Sequence, residues 1–332
     1  MRQDKKYDVT ALGELLVDFT YSGQSGQGNP TYEANPGGAP CNVLSMLSRL
    51  GHKTAFIGKV GKDAFGYLLR DAAAAQGIDM SGLSMDDEVH TTLAFVQKLP
   101  NGDRDFSFYR KPGADVRLRP DEVEAHKDLL EQTKIFHFGT LSMTDETVER
   151  ATREALTIAK DNGAVISFDP NYRPPLWDSE GAAREKMVFG MRYTDIMKIS
   201  DNEIVFLTGC DETPEGLDTG VRRLIDQYEI PLCFATLGPD GSRAYFKGER
   251  VDVPGFLNPD TIETTGAGDT FCACALHAVL ENGGIEGFTE SSLKRLLTFA
   301  NGAASLITTR KGALAVMPAK DEVDAYIARM AK

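Results

Sequence analysis

Short apolar runs alternate along the chain with longer segments in which apolar residues recur at spacings of three and four. The runs predict buried β-strands, and the longer segments predict amphipathic α-helices. The predicted strands cover residues 7–19, 54–58, 91–97, 105–110, 135–139, 164–169, 196–199, 232–237, 243–247 and 250–253. The predicted helices cover residues 42–50, 63–76, 145–162, 181–192, 202–207, 216–228, 268–282, 291–308 and 321–330.

From residue 135 onward strands and helices alternate, which predicts an α/β fold with a parallel sheet covered by helices on both faces. Two segments break this alternation. Residues 21–36 are polar and glycine-rich, and residues 91–110 read as a hairpin with the turn signal Pro-Asn-Gly-Asp. We interpret them as a small β lid, discontinuous in sequence, from about 17–36 and 90–115. The chain 1–332 is then a single domain carrying this lid.

Composition narrows the possible partners and the location. Among 332 residues, 36 Lys and Arg face 49 Asp and Glu, a net charge of −13. Such an acidic surface disfavours binding to nucleic acid or to an anionic membrane. The longest apolar run, 271–280, is far shorter than the ~20 residues that span a bilayer. Five cysteines without a CxxC pair fit a reducing compartment. We therefore expect a cytoplasmic protein.

The sequence TTGAGDT at 264–270 leads into a predicted helix. Backbone N–H groups of Gly266, Ala267 and Gly268 could hold a phosphoryl group there, because a helix N-terminus favours negative charge. Asp269 would repel that group, unless its task is to accept the proton of an attacking hydroxyl. The alternative is that Asp269 only stabilises the first helical turn.

A second glycine-rich cluster precedes the first predicted helix. Gly37 and Gly38 permit close backbone contact with a ligand, and Asn42 offers both a donor and an acceptor. Asp18 ends the first predicted strand and could accept hydrogen bonds from vicinal hydroxyls. The alternative is an ordinary glycine turn.

The histidines are His52, His90, His126, His137 and His277, and they are scattered without metal-ligand spacing.

Together these motifs resemble the ribokinase-like (PfkB) carbohydrate kinases over nearly the whole chain. The motifs are GELLVD at 13–18, GGAPCN at 37–42, GKVGKDAFG at 58–66 and TTGAGDTF at 264–271. FYRKPGAD at 108–115 and DPNYRPPLW at 169–177 resemble the fructokinase branch. The resemblance implies a ribokinase-like three-layer αβα sandwich with a mostly parallel central sheet and a small β lid. It also implies ATP-dependent phosphoryl transfer to a sugar hydroxyl.

The resemblance also implies roles for individual residues. Asp269 is expected to be the catalytic base, with the backbone of 266–268 as the anion hole. The sugar is expected at Asp18, Gly37, Gly38 and Asn42, with Arg104, Arg110 and Arg173 as further candidates. The alternative for Arg110 and Arg173 is a surface ion pair. The nucleotide is expected at Thr236, Gly238 and Gly241, a TxGxxG turn after a strand, and at Asn301 and Gly302.

The resemblance implies ATP, Mg²⁺ and K⁺ as cofactors. At the positions expected to bind the two metal ions, the sequence departs from the family pattern twice. The Asn-x-x-Glu element is Ser200-Asp201-Asn202-Glu203 here, so Glu203 keeps the carboxylate expected to reach Mg²⁺ through water, while Ser200 replaces the amide. Glu263 stands where the family usually has Asp, at a position that helps to bind K⁺ in some relatives. TRKGA at 309–313 resembles the other element of that ion loop.

We interpret the chain as a fructokinase that phosphorylates D-fructose at its 6-hydroxyl. A 2-keto-3-deoxygluconate kinase is the nearest alternative, with Arg173 meeting the sugar acid, although such kinases usually carry Asp-Thr where this chain has Ala39-Pro40. Another PfkB-type sugar kinase, or a catalytically silent sugar-binding regulator, are further alternatives. The expected partners are the sugar, ATP and a second copy of the chain, because the lid hairpin leaves strand edges that can pair.

Overall fold

The computed structural model describes residues 4–98 and 104–330. Its strands are β1 (Tyr7–Leu12), β2 (Leu16–Gln24), β3 (Pro30–Gly37), β4 (Thr54–Gly61), β5 (Ile78–Asp86), β6 (Leu93–Lys98), β7 (Arg104–Tyr109), β8 (Thr133–Gly139), β9 (Val165–Asp169), β10 (Ile196–Ser200), β11 (Leu232–Thr236), β12 (Ser242–Phe246) and β13 (Glu249–Val253). Its helices are α1 (Ala39–Arg49), α2 (Ala64–Ala75), α3 (Pro120–Glu124), α4 (Lys127–Glu131), α5 (Glu146–Asp161), α6 (Glu180–Met191), α7 (Asp201–Thr208), α8 (Pro214–Tyr228), α9 (Ala267–Glu281), α10 (Glu290–Ile307) and α11 (Lys320–Met330).

A nine-stranded sheet forms the centre, in the order β13-β12-β11-β10-β9-β8-β1-β4-β5. Neighbours from β11 to β5 are parallel, and the β12–β13 hairpin adds an antiparallel edge. One apolar core lies between the sheet and α1, α2, α9, α10 and α11, and the other lies between the sheet and α3 to α8. The predicted three-layer α/β fold is confirmed.

The strand order reverses beside β1. The chain first builds β4 and β5 on one side of β1, then returns to place β8 on the other side. In open parallel sheets, ligands bind outside the carboxyl ends of the strands at such a switch point. The fold therefore predicts a site above the ends of β1 and β8.

A second sheet of four strands, β3-β2-β6-β7, stands over that edge. β2 pairs with β3 in antiparallel and with β6 in parallel register, so Asp18 lies opposite Asn35, and Phe19 opposite Phe95. Because successive side chains alternate between faces, one face carries Asp18, Thr20 and Asn35. The other carries aromatic rings, with Phe19 stacked on Phe95 at 4.9 Å between centroids.

Several local predictions differ from the structure, and α3 and α4 were not predicted. Predicted strand 7–19 is two strands, β1 and β2, because the chain turns at Gly13, where a Cβ would lie 2.6 Å from Pro40 Cγ. Residues 21–36, assigned to the β lid without strand bounds, form the end of β2 and most of β3, and one face of this hairpin is polar. β5 is absent from the prediction because this edge strand is only partly buried and carries no apolar run. The predicted turn at 100–103 lies outside the described residues.

Within residues 4–98 and 104–330, none of the helices has the length and apolar character needed to cross a membrane.

Candidate active site

A cavity of about 930 Å³ opens above the carboxyl ends of the central strands, within the size range of small-molecule sites. The small sheet and α1 line one end with Asp18, Asn35, Gly38 and Asn42. Residues after β11 and on α10 line the other end. β1 and β11 are four strand spacings apart, about 19 Å, so the cavity can hold two ligands side by side.

The start of α9 lies in this cavity. Gly266 has a left-handed φ of +77°, and a Cβ there would lie 2.6 Å from Ala313 Cβ, so only glycine fits. The N–H of Ala267 donates to the Thr264 carbonyl at 3.2 Å. No described residue accepts from the N–H groups of Gly266 and Gly268. Two of the three predicted anion-binding N–H groups are therefore open to a ligand.

Asp269 occupies the first turn of α9, beside these N–H groups. Asn42 donates from Nδ2 to Asp269 Oδ2 at 2.8 Å. Burial raises the pKa of Asp269 to about 6, the Asn42 hydrogen bond opposes that rise, and the Asp169 charge adds to it. A carboxylate with this pKa is ionised at neutral pH and still basic enough to accept a proton.

Asp18 on β2 faces the same end of the cavity. Burial raises its pKa to about 7, while the charge of Arg173 opposes that rise. Gly37 does not line the cavity but lies directly behind Asp18, where a Cβ would contact the Asp18 carboxylate. Gly38 precedes α1 with a φ of +123°, and a Cβ there would collide with the Glu14 carbonyl. The two glycines thus set the distance between small sheet and helix.

Glu14, which was not predicted, organises this junction. It is buried, lines the cavity and accepts a hydrogen bond from the Ala39 N–H at 2.9 Å, at the start of α1. Burial raises its pKa to about 7. The signal for it was the acidic residue inside GELLVD, which a sequence pattern alone does not distinguish from an exposed one.

The structure places the three predicted arginines in different surroundings. Arg173 is exposed at the cavity lining. Its positive charge opposes the rise that burial causes in the pKa values of Asp18 and Asp269. Arg110 is buried outside the cavity lining and donates to Asp115, Thr144 and the Leu141 carbonyl. Neither the predicted sugar contact nor the alternative of a surface ion pair describes it, because its donors bind the protein core. Arg104 begins β7, and its side chain lies outside the described residues.

At the far end of the cavity, Thr236 ends β11 and the TLGPDG turn follows it. Thr236, Gly238, Gly241 and Asn301 all line the cavity. The Asn301 side chain donates to the Val253 and Pro254 carbonyls and accepts from Ser242, so it holds the turn in place. Gly302 does not line the cavity, because it packs against α11, where a Cβ would lie 2.6 Å from Ile327 Cγ1.

Two carboxylates in the lining fit cations. Glu203 is buried, and its oxygens accept the N–H groups of Tyr172 and Ser200, each at 2.8 Å. Those bonds fix the carboxylate and leave lone pairs for a water of hydrated Mg²⁺. Glu263 accepts the Gly312 N–H at 2.7 Å, which ties together the two loops expected to bind K⁺.

Lys198 on β10 also lines the cavity, although no sequence motif singled it out. Its ammonium pairs with Asp169 at the end of β9, with Nζ–Oδ2 and Nζ–Oδ1 distances of 3.1 and 3.3 Å. Asp169 also accepts the Asn171 N–H at 3.1 Å. The two charges lie 29 positions apart in the sequence, on neighbouring strands whose pairing the sequence does not reveal.

Two of the histidines are not scattered. His52 Nε2 lies 2.7 Å from His277 Nδ1, and Glu281, one turn further along α9, brings a carboxylate oxygen within 4.8 Å of both rings. Burial lowers the pKa of each ring, so both are mainly neutral at pH 7. This pair does not line the cavity.

Comparisons with known proteins agree with this geometry. Residues 6–320 match the family model described as pfkB family carbohydrate kinase. The chain is 37% identical over 321 residues to probable fructokinase-4 of Arabidopsis thaliana, covering 96% of each chain. It is 38% identical over 316 residues to a fructokinase of Solanum tuberosum, covering 95% of this chain and 93% of the relative.

Solved structures resemble this chain over nearly its whole length. A fructokinase double mutant from Vibrio cholerae, bound to fructose, ADP and potassium, superposes with a TM-score of 0.85 at 28% identity, covering 98% of this chain and all (100%) of that one. A putative ribokinase II from E. coli, in complex with ATP and Mg²⁺, gives a TM-score of 0.84 at 29% identity, covering 97% and 99%.

Proposed function

Because the chain belongs to the pfkB family of carbohydrate kinases, we propose that it transfers the γ-phosphoryl group of MgATP to the 6-hydroxyl of D-fructose. The observation that carries this proposal is the first turn of α9. There a carboxylate of pKa about 6, held by Asn42, lies next to two open backbone N–H groups. A base beside an anion site is what transfer of a phosphoryl group to a hydroxyl requires.

The sugar end favours a neutral acceptor. Asp18, Glu14 and Glu263 all line the cavity, so a sugar acid would bring a further negative charge among them. Their oxygens accept hydrogen bonds from hydroxyls, and Asn42 and the exposed Arg173 add donors. Fructose is the choice among neutral sugars because the curated relatives at 37–39% identity carry the name fructokinase.

The nucleotide is proposed at the other end. Thr236, Gly238 and Gly241 offer a hydroxyl and turn backbone to phosphates, and Asn301 supports the turn. Mg²⁺ would be held through water by Glu203, where it would neutralise charge on the phosphates. K⁺ would be held at the loops joined by Glu263 and Gly312. Relatives of known structure hold ATP with Mg²⁺, and fructose with ADP and potassium.

In the proposed reaction, Asp269 accepts the proton of the 6-hydroxyl. The O6–Pγ bond forms as the bond from Pγ to the β,γ-bridging oxygen breaks, and ADP leaves with that electron pair. The N–H groups of Gly266 and Gly268 donate to the phosphoryl oxygens as their charge spreads. The small sheet acts as the lid that excludes water from the transfer. The products are ADP and fructose 6-phosphate.

The experiment is a coupled ADP assay with MgATP and D-fructose, followed by identification of the sugar phosphate by NMR. Fructose 6-phosphate supports the proposal. Fructose 1-phosphate would contradict the proposed orientation of the sugar. A preference for 2-keto-3-deoxygluconate would show that the sugar acid, rather than fructose, is the substrate. Tight fructose binding in calorimetry, with no ADP formed in the assay, would favour a catalytically silent sugar-binding regulator.

We also propose a cytoplasmic homodimer. The aromatic face of the small sheet turns away from the cavity and leaves Tyr21, Tyr32 and Tyr109 exposed by 55, 39 and 65%. A second copy would cover these rings and pair the exposed edge strands. The cytoplasm accords with five free cysteines. Light scattering at a chain mass of 36.2 kDa distinguishes monomer from dimer.

A further inference from the structure

Lys198 is a buried cation in the wall of the cavity, 8% exposed. A Cβ built on Gly268 would lie 3.3 Å from its Nζ, so the ammonium stands directly against the first turn of α9. A helix N-terminus favours anions and disfavours cations. This position is therefore unfavourable for a lysine unless negative charge lies close to it.

The surrounding charges keep Lys198 protonated. Burial opposes the charged form, but Asp169 and then Glu203 outweigh it, and the pKa of Lys198 is raised. Asp169 contacts the ammonium through its two carboxylate oxygens, at 3.1 and 3.3 Å. An ammonium has three donors. The two oxygens of Asp169 engage at most two of them, so at least one N–H is left without an acceptor among the described residues, on a group that lines the cavity.

We propose that Lys198 donates this hydrogen bond to the phosphoryl group as it passes from ATP to the sugar, an inference that rests on the proposed function. Lys198 lies against the open N–H groups of α9 and close to Glu203, the residue expected to hold Mg²⁺. A phosphoryl group at the start of α9 therefore has this ammonium within reach. The unfavourable pairing of cation and helix end becomes favourable when the anion lies between them.

The lysine changes no covalent bond in this step. The proton of the 6-hydroxyl goes to Asp269, and the bond from Pγ to the bridging oxygen breaks as O6–Pγ forms. Lys198 keeps its three protons and stabilises charge on the equatorial phosphoryl oxygens. Asp169 acts as a positioning residue, because it fixes the ammonium without reaching the lining of the cavity itself.

A purely electrostatic role for Lys198 predicts something different. Its charge lowers the pKa of Asp269, so removing it would raise that pKa and slow the reaction mainly at low pH. Raising the pH would then restore turnover. Loss of a bond to the phosphoryl group would persist at every pH, and it would weaken binding of a triphosphate more than binding of a diphosphate.

The test replaces Lys198 by methionine, which keeps the chain length and removes the charge. We expect Lys198→Met to lower kcat by about 10²–10³-fold from pH 6 to 9, the cost of losing one transition-state donor, with fructose KM within about threefold. Calorimetry with a non-hydrolysable ATP analogue and with ADP should show the analogue losing affinity about tenfold more than ADP.

Lys59→Met is the matched control. Lys59 is also buried (3% exposed) and ion-paired, to Asp86 and Glu122 at 3.1 and 3.0 Å, but it does not line the cavity. Its loss should lower stability and leave kcat within about twofold. If Lys198→Met fails to fold, the neutral double variant Lys198→Met/Asp169→Asn carries the same expectation, because removing both charges leaves no unpaired ion.

Three results would overturn the proposal: a Lys198→Met variant with kcat within threefold of wild type, full recovery of its kcat at pH 9, or an unchanged preference of the variant for the triphosphate analogue over ADP. All three are measured against a wild-type protein that forms ADP with fructose, so they refute the role of Lys198 and leave the proposed function standing. A wild type that is inactive with fructose refutes the proposed function.

Discussion

Asn42 donates a hydrogen bond to Asp269 at 2.8 Å, joining residues 227 positions apart in the chain. Asn42 lies in the first turn of α1 and Asp269 in the first turn of α9, and these helices pack against each other. The bond orients the carboxylate and favours its charged form, against a burial that raises its pKa to about 6. Asn42 therefore helps to set the pH at which Asp269 can act as a base.

Replacing Asn42 by alanine should shift the pH dependence of the reaction. Without its donor, the pKa of Asp269 rises, so the acidic limb of kcat/KM should move up by about one unit. Steady-state rates between pH 5 and 9 measure this. Ser45→Ala is the control, since Ser45 is buried one turn further along α1 and bonds to the Leu314 carbonyl. An unshifted limb in Asn42→Ala would show that the bond does not tune Asp269.

Asp18→Asn should stabilise the unliganded protein while weakening sugar binding. The folded pKa of Asp18 is about 7, above its ordinary 3.8, so ionisation costs the folded state stability. That cost is absent below pH 4 and complete above pH 7. We expect a gain on the order of 1–3 kcal/mol at pH 8 that vanishes toward pH 4, with fructose KM raised at least about tenfold.

Urea unfolding at pH 4.5, 6 and 8 checks the stability part. Asp87→Asn serves as the control, because Asp87 is 73% exposed and pairs with Lys62 at the surface. Its effect should stay within about 0.5 kcal/mol at every pH. A gain in Asp18→Asn that does not grow with pH would contradict the account.

Gly266→Ala should abolish most activity. The residue needs a φ of +77°, and a methyl group would lie 2.6 Å from Ala313 Cβ at the start of α9. Gly248→Ala is a matched control with a φ of +81° and no atom within 4 Å of the added methyl. Both should cost about 1 kcal/mol of backbone strain, but only the first displaces the anion-binding N–H groups.

We expect kcat to fall at least about 10²-fold in Gly266→Ala, the worth of a displaced transition-state donor, and to change less than about twofold in Gly248→Ala. Thermal unfolding of both variants separates strain from catalysis. Equal loss of activity in the two would mean that general destabilisation, rather than the geometry of α9, determines the rate.

The motif-bearing loops could be predicted from sequence because their chemistry is local. Gly266 and Asp269 lie within four residues, at a helix start that the following apolar stretch reveals. Lys198 could not be predicted in this way. It sits inside the apolar run of β10, and its partner Asp169 is brought beside it only by the pairing of β9 with β10.

The fold was predictable to a similar degree. Alternating strands and helices after residue 135 predicted the layered α/β architecture, since each buried parallel strand is a plain apolar run. β5 escaped prediction because an edge strand buries only part of its length. Residues 17–36 were assigned to the β lid, but the bounds of β2 and β3 could not be predicted, because the cavity face of this hairpin is polar and its sequence has the composition of a loop.

A single charged substitution on the small sheet should separate the proposed dimer. Tyr109 is 65% exposed on the aromatic face, and its ring packs edge-on against Phe95 at 5.4 Å between centroids. Tyr109→Glu should shift the light-scattering mass from that of a dimer toward 36.2 kDa at micromolar concentration. Tyr67→Glu is the control, because Tyr67 is a 40% exposed tyrosine on α2, outside the small sheet. A wild type that already runs as a monomer would refute the dimer.

The most direct test of the account is ADP formation from MgATP and D-fructose by the wild type and by Asp269→Asn. The account predicts a fructose-dependent rate in the wild type and a fall of about 10²–10⁴-fold in the variant, the usual worth of a general base, with fructose affinity unchanged by calorimetry. Wild-type turnover retained in Asp269→Asn, with fructose still bound equally well, would contradict the assignment of Asp269 as the base and with it the proposed mechanism.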